Sequence, residues 1–346
     1  MSVVIQSILW SILGAIAYRE RIVARNTPRL LGRSLYWIGV PLQIFFLARK
    51  SNFDEVVWLP PVVTILVLFM GLALTLLALS TFKQLFKQKF FSDDSTEILS
   101  LNQLQSSLVK VESASLTTKD KFYQTISLPT SNTQTGSFII ASVLCNTGFV
   151  DLVLIPPLVD FKYWSWIILY GVVHNIVGSY GLGVLIADRY SYGHFKRKTW
   201  LNRIQNIFLL PSLWAFVYGY MTKDLLLPNI LEIFIAKGVL FVVPGAFVLI
   251  GMQLGTLQQW QNLCSGIFPA ILKILIIPGS VGLLLTLLGI RGDARLVLVL
   301  MSGMPTAFAS VILAEEYSLD RQIVASSILL STLFLPIVIL FWLIIF

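Results

Sequence analysis

Two apolar stretches, one in each half of the chain, are each long enough to cross a bilayer and each broken near the middle. The first, Gly136 to Asp160, reads GSFIIASVLCNTGFVDLVLIPPLVD and holds Asn146, Thr147, Gly148, Asp151, Pro156 and Pro157 in an otherwise apolar run. The second, Asp293 to Tyr317, reads DARLVLVLMSGMPTAFASVILAEEY, with Ser302, Gly303 and Pro305 at its middle. A membrane span takes about 20 apolar residues. Proline removes a backbone donor and glycine weakens a helix, so neither stretch suits one continuous helix. Non-helical backbone survives at membrane depth only where protein buries it or where it lines a wet cavity. One such interruption in each half is a sequence mark of a secondary transporter's binding site.

The remainder of the chain agrees with a membrane setting. Hydrophobic residues make up 56% and charged residues 12% of the 346, and the mean hydropathy is +0.82. Soluble globular domains are excluded by that balance. Spans are read at roughly 2–18, 31–48, 56–82, 136–160, 163–187, 204–222, 229–256, 264–290, 293–315 and 320–346. The expected fold is an all-α multi-pass membrane protein of ten transmembrane helices. Residues 1–82 carry spans 1–3, 83–135 a polar cytoplasmic loop, and 136–187 spans 4 and 5. Residues 188–203 form a basic cytoplasmic loop and 204–346 carry spans 6–10. Ten spans divide into two sets of five, and an odd number per set turns the halves into opposite orientations, an inverted repeat. Spans 2 and 7 each carry a mid-span proline, Pro41 and Pro244, and spans 4 and 9 are the interrupted pair.

A net charge of +8 invites a nucleic-acid reading, but the distribution argues against one. Seventeen of the 25 Lys and Arg fall in loops on one side of the spans, six fall on the other, and Lys237 and Lys273 lie within spans. Basic residues gather on the cytoplasmic side, so both termini are expected outside the cytoplasm and no nucleic-acid partner is expected. The first span has no basic region before it and no small-residue cleavage site after it, which reads as a first membrane helix rather than a signal peptide. Cys145 and Cys264 lie in apolar spans and read as small buried hydrophobes, not as a disulfide. In the polar loop, Leu101, Leu104, Leu108 and Val111 fall at helical spacing. A short helix on the membrane surface and a plain linker are both open there.

Four pieces carry a family resemblance: LGRSLYWIGVPLQIFFLA in span 2, GSFIIASVLCNTGF in span 4, MSGMPTAFASVILAEEYSLD in span 9 and STLFLPIVI in span 10. Through them the chain resembles the auxin efflux carrier family, which includes malonate-carrier-like proteins of bacteria and the auxin carriers of plants. The resemblance implies that spans 4 and 9 unwind and cross near the bilayer midplane. It further implies a scaffold of spans 1, 2, 6 and 7 and a mobile bundle of spans 3–5 and 8–10, moving as an elevator to carry organic anions, often carboxylates. At one place the chain departs from the family pattern: where Gly-Leu-Pro is usual, it has Asp151, Leu152 and Val153.

The expected solute-binding residues are Asn146, Thr147, Gly148, Asp151, Met304, Pro305, Thr306, Gln43 and Asn175. Broken helices present N-termini that attract anions, which favours Asn146, Thr147 and Gly148. Pro305 and Gly303 make the second break, leaving Thr306 and the backbone near Met304 as contacts. A carboxylate at the bilayer centre costs at least about 2.5–3.5 kcal/mol, so Asp151 must be functional, paired or interfacial. Proton coupling is the functional reading, and Lys273 is the partner that pairing would require. His174 and Asn175 lie mid-span; interhelical hydrogen bonding is favoured for His174 and solute contact is kept for Asn175. Gln43 and Pro41 line the scaffold side, and Lys237 reaches for the interface. No metal-ligand spacing, phosphate loop or nucleophile motif occurs, so no catalytic residue, cofactor or metal is expected. The expected partners are a small-molecule solute and the lipid bilayer, with a homodimer left open. Two alternatives stand beside the carrier: a sodium-coupled symporter of the bile-acid type, and a non-transporting membrane regulator on the same fold.

Overall fold

A computed structural model describes residues 2–51, 53, 57–92, 129–148, 150–191, 211–256 and 260–346. Every element among them is helical. In chain order these are α1 (Ser2–Arg19), α2 (Thr27–Lys50), α3 (Leu59–Ser92), α4 (Asn132–Val143), α5 (Asp151–Leu154) and α6 (Phe161–Tyr190). There follow α7 (Pro211–Met221), α8 (Asn229–Thr256), α9 (Leu263–Leu287), α10 (Asp293–Ser302), α11 (Ala309–Glu316) and α12 (Arg321–Ile345). By length and composition α2, α3, α6, α8, α9 and α12 suffice to cross a membrane. Large apolar side chains such as Phe69, Ile230, Phe241 and Ile344 stand exposed along the outside, as lipid contact requires.

Helix ends differ from the apolar runs where hydrogen bonding outweighs hydropathy. Helix α3 continues to Ser92, beyond the expected end at 82. Helix α4 opens at Asn132 through a capping box: Ser131 Oγ accepts from the Gln134 amide at 3.2 Å, and Gln134 Oε1 accepts from the Ser131 amide at 3.4 Å. Such a cap makes the polar residues 132–135 helical although they carry no apolar signal. The possible surface helix around Leu101–Val111 lies outside the described residues, as do most of the basic loop and the first residues of span 6. Two prolines within spans, Pro41 and Pro278, follow wide turns, whereas Pro244 and Pro336 sit in regular helix. Pro41 cannot donate to the carbonyl four residues back, and the ladder before it loosens so that the Val40 amide reaches Leu35 O. The same widening precedes Pro278 in α9.

Packing sorts the helices into two groups. In the first, α1 lies along α8 so closely that a Cβ on Gly14 would strike the Val248 carbonyl and one on Gly251 the Ser11 carbonyl. Small residues permit such backbone approach in lipid, where apolar burial supplies little drive. Helix α2 packs on α7, and the Arg49 guanidinium donates to Thr222 O and, at 2.7 Å, to Leu225 O just beyond the end of α7. Helices α3, α4, α6 and α9–α12 pack among themselves as the second group. The seam between them is chiefly α6 against α2 and α7.

Candidate functional site

The two interrupted stretches meet. Between α4 and α5 the backbone is extended at 144–146, and between α10 and α11 at 305–307. These strips run antiparallel, with Cys145 facing Thr306. The Asn146 amide donates to Pro305 O at 2.8 Å and the Ala307 amide to Leu144 O at 2.9 Å. Each break thus satisfies the polar backbone that the other break frees, which is what non-helical chain in a dry interior needs. The breaks fall at Leu144–Val150 and Gly303–Phe308, so Pro156 and Pro157 end α5 rather than making the crossing.

Helices α4 and α10 both arrive at the crossing by their C-terminal ends, whose last carbonyls have no partner within a helix. One side chain serves both. Lys273, on α9 and wholly buried, donates from Nζ to Ser302 O at 3.0 Å and to Val143 O at 3.5 Å. A cation at helix C-termini also answers the negative ends of both macrodipoles. Cys145 Sγ donates to the same Ser302 carbonyl at 3.5 Å. From α6, His174 pins the first break: its Nε2 accepts from the Cys145 amide at 3.1 Å and its Nδ1 lies 3.1 Å from Thr147 Oγ1. A ring nitrogen that accepts is unprotonated, so the imidazole is neutral and carries its proton on Nδ1, facing Thr147. The Tyr170 ring stacks on it at 6.3 Å between centroids.

The other expected residues take distinct places. Thr147 and Asn175 line one small cavity, of about 20 Å³, with Ile44, Leu152, Gly171 and Ser212. It sits on the seam, having walls from α2 and α7 on one side and from α6 and the first break on the other. Gln43 bridges the same seam, its Nε2 donating to Leu152 O at 2.7 Å. Tyr36 and Tyr180 add a second polar contact across it, their hydroxyls 3.3 Å apart. Gly148 opens on free space, with nothing within 4 Å of where a Cβ would stand. Asn146 and Met304 are buried in the crossing. The Thr306 hydroxyl is engaged internally, donating to Ala141 O and contacting Ser327 Oγ, both at 2.8 Å, while Ser331 Oγ accepts from the Thr306 amide at 3.1 Å.

Asp151 is wholly buried at the start of α5. Its pairing with Lys273 is corrected. No side chain bonds to the Asp151 carboxyl, which has only the amides of Asp151 and Leu152 near it, and the lysine is taken by the two helix-end carbonyls. The Tyr170 hydroxyl is likewise buried and is turned to the Cys145 thiol. Cys145 is within electrostatic reach of both Lys273 and Asp151, so these groups form one buried polar cluster at the crossing. Sequence reasoning found Lys273 but misjudged its partner. The signal was a lysine inside an apolar span, and only the meeting of two distant helix ends says what it serves.

Residues 235–343, from α8 into α12, match the family described as membrane transport protein. That match takes in Lys273 and the second break but not Asp151 or the first break. Over 218 residues the chain is 26% identical to an uncharacterized transporter of Methanocaldococcus jannaschii, an alignment covering 60% of this chain and 67% of that protein. With the apolar helices, these matches support a multi-pass integral protein of a membrane transport family.

Proposed function

We propose that the chain belongs to the membrane transport family that its residues 235–343 match, and that it is a secondary transporter of a small organic anion, carboxylate-like in class. In this reading the second helix group slides against the first as an elevator and carries the crossing from one side of the bilayer to the other. Ten membrane segments in two inverted sets of five, with both termini on the non-cytoplasmic side, complete the reading. The solute meets Asn146, Thr147, Gly148 and the backbone at Met304 and Pro305 from the crossing, Asn175 from α6 beside it, and Gln43 from across the seam.

The observation that carries the proposal is the antiparallel meeting of two broken helices beside a seam between two separately packed helix groups. The seam is held by few polar contacts, and what crosses it is chiefly non-directional apolar packing, such as Val40 and Ile44 of α2 in one core with Ile167 and Ile168 of α6, which can slide. The buried ammonium of Lys273 supplies positive charge close to the crossing, which favours an anion. The test is uptake of a panel of radiolabelled carboxylates into proteoliposomes holding the purified protein. Saturable uptake of at least one is expected, and Gly148→Leu should block it while leaving the fold intact, since Gly148 faces open space. No uptake of any carboxylate, or uptake indifferent to Gly148→Leu, counts against the reading.

A further inference from the structure

We propose that Asp151 is a proton-binding site and that the proton it takes up crosses the membrane together with the anionic solute. This rests on the transporter reading above and deepens it by naming the coupled ion. The geometry is that of an acid held away from every counter-charge. No side chain bonds to either Asp151 oxygen at 0% exposure; the donors near it are the amides of Asp151 and Leu152 at the start of α5, and the neighbouring Tyr170 hydroxyl is turned to the Cys145 thiol. An ionised carboxylate left so would be an uncompensated buried charge, one of the costliest arrangements in a protein interior. A protonated carboxyl needs no counter-ion, and Asp151 buried in this way therefore holds its proton.

The titratable and charged groups around it do not offer a substitute. Cys145 stands on the crossing strip, Tyr170 and His174 on α6, and Lys273 on α9; from α2 the near polar group is the uncharged Gln43. Lys273 is committed to Ser302 O and Val143 O, and the His174 ring is neutral because Nε2 accepts from the Cys145 amide. A metal ion does not suit the place either: among the described residues no three His, Cys, Asp or Glu side chains gather. A proton can reach Asp151 where a larger cation cannot. The adjoining cavity of about 20 Å³ is of the size that takes one water molecule. Gly171 forms its wall towards Asp151, and a Cβ there would lie 3.6 Å from Asp151 Oδ2 and 3.0 Å from Thr147 O. A glycine with no side chain is thus what stands between the cavity and the carboxyl.

The step balances simply. Water on one side gives a proton to the Asp151 carboxylate when the crossing opens there, and the carboxyl returns it to water on the other side. Its sense follows from charge. Protonation removes the negative charge nearest the crossing and leaves the positive charge of Lys273, so proton and anion each favour the other's binding, and by linkage the two travel in the same direction.

Infrared spectroscopy of the purified protein in lipid reads the site without any solute. The wild type should show the C=O stretch of a protonated carboxylic acid at neutral pH, and Asp151→Asn should lack it. Proteoliposomes loaded with a pH-sensitive dye read the coupling, with malonate as the probe. Malonate entry should acidify the lumen in step with uptake, one proton per solute, and Asp151→Asn should carry malonate with no proton movement. Should Asp151→Asn fail to fold, Asp151→Ser replaces it, and the two wild-type measurements stand by themselves. Absence of the acid band in folded wild-type protein, or malonate flux that moves no protons, overturns the proposal. An acid band without flux of any carboxylate would sink the transporter reading and leave the proton site standing.

Discussion

Replacing His174 by alanine removes the pin that holds the first broken helix to α6. The Cys145 amide loses its acceptor at 3.1 Å and becomes a buried donor without a partner, which costs about 1–3 kcal/mol. The Thr147 hydroxyl loses its contact at 3.1 Å, and interhelical bonds of this kind average about 0.6 kcal/mol in a membrane protein. The stacked Tyr170 ring loses its neighbour, worth about 0.5–1.5 kcal/mol. The sum is about 3 kcal/mol, before any cavity left by the ring. At about 2–4 °C per kcal/mol for chains of 150–250 residues, the thermal midpoint in detergent should fall by about 6–12 °C. His174→Gln, which keeps an acceptor in reach, should recover part of the loss. A fall equivalent to less than about 1 kcal/mol, or no difference between the alanine and glutamine variants, would refute the claim that His174 holds the crossing together.

Three further outcomes follow from the same contacts. Gln43→Leu removes the 2.7 Å bond to Leu152 O across the seam; it should cost only about 1 kcal/mol yet speed hydrogen exchange of the amides at 152–155, and unchanged exchange would show that the bond does not restrain the seam. Thr306→Val removes a hydroxyl held between Ala141 O and Ser327, so it should lower stability by about 1–2 kcal/mol without altering solute affinity in uptake measurements; a selective loss of affinity would mean that the hydroxyl leaves these partners to meet solute. Lys273→Met should not rescue Asp151→Asn in thermal unfolding, because the two side chains serve different partners; rescue of one by the other would restore the ion pair.

The chain itself announced the helices, their approximate places and the two interruptions. In lipid a backbone must satisfy its own hydrogen bonds, so an apolar run of span length has little choice but to be helical. Asn146-Thr147-Gly148 and Ser302-Gly303-Met304-Pro305 then mark where that ladder cannot continue. Helix ends were less legible. Helix α3 runs past its apolar stretch to Ser92, and the capped start of α4 at Asn132 depends on hydrogen bonds among polar residues that hydropathy does not register.

What the tertiary structure decided is which groups face which. Asp151 and Lys273 are both buried ions in a list of residues, and pairing them is the natural economy for a one-dimensional reading. In space, two helices more than 150 residues apart bring their C-terminal carbonyls to Lys273, which donates to Val143 O and Ser302 O, and Asp151 is left without a side-chain partner. The carbonyls belong to every residue alike, so no side-chain pattern reveals which of them a lysine will find. Partnership at the crossing is a property of backbone ends made adjacent by the fold, and composition and spacing carry no record of that adjacency.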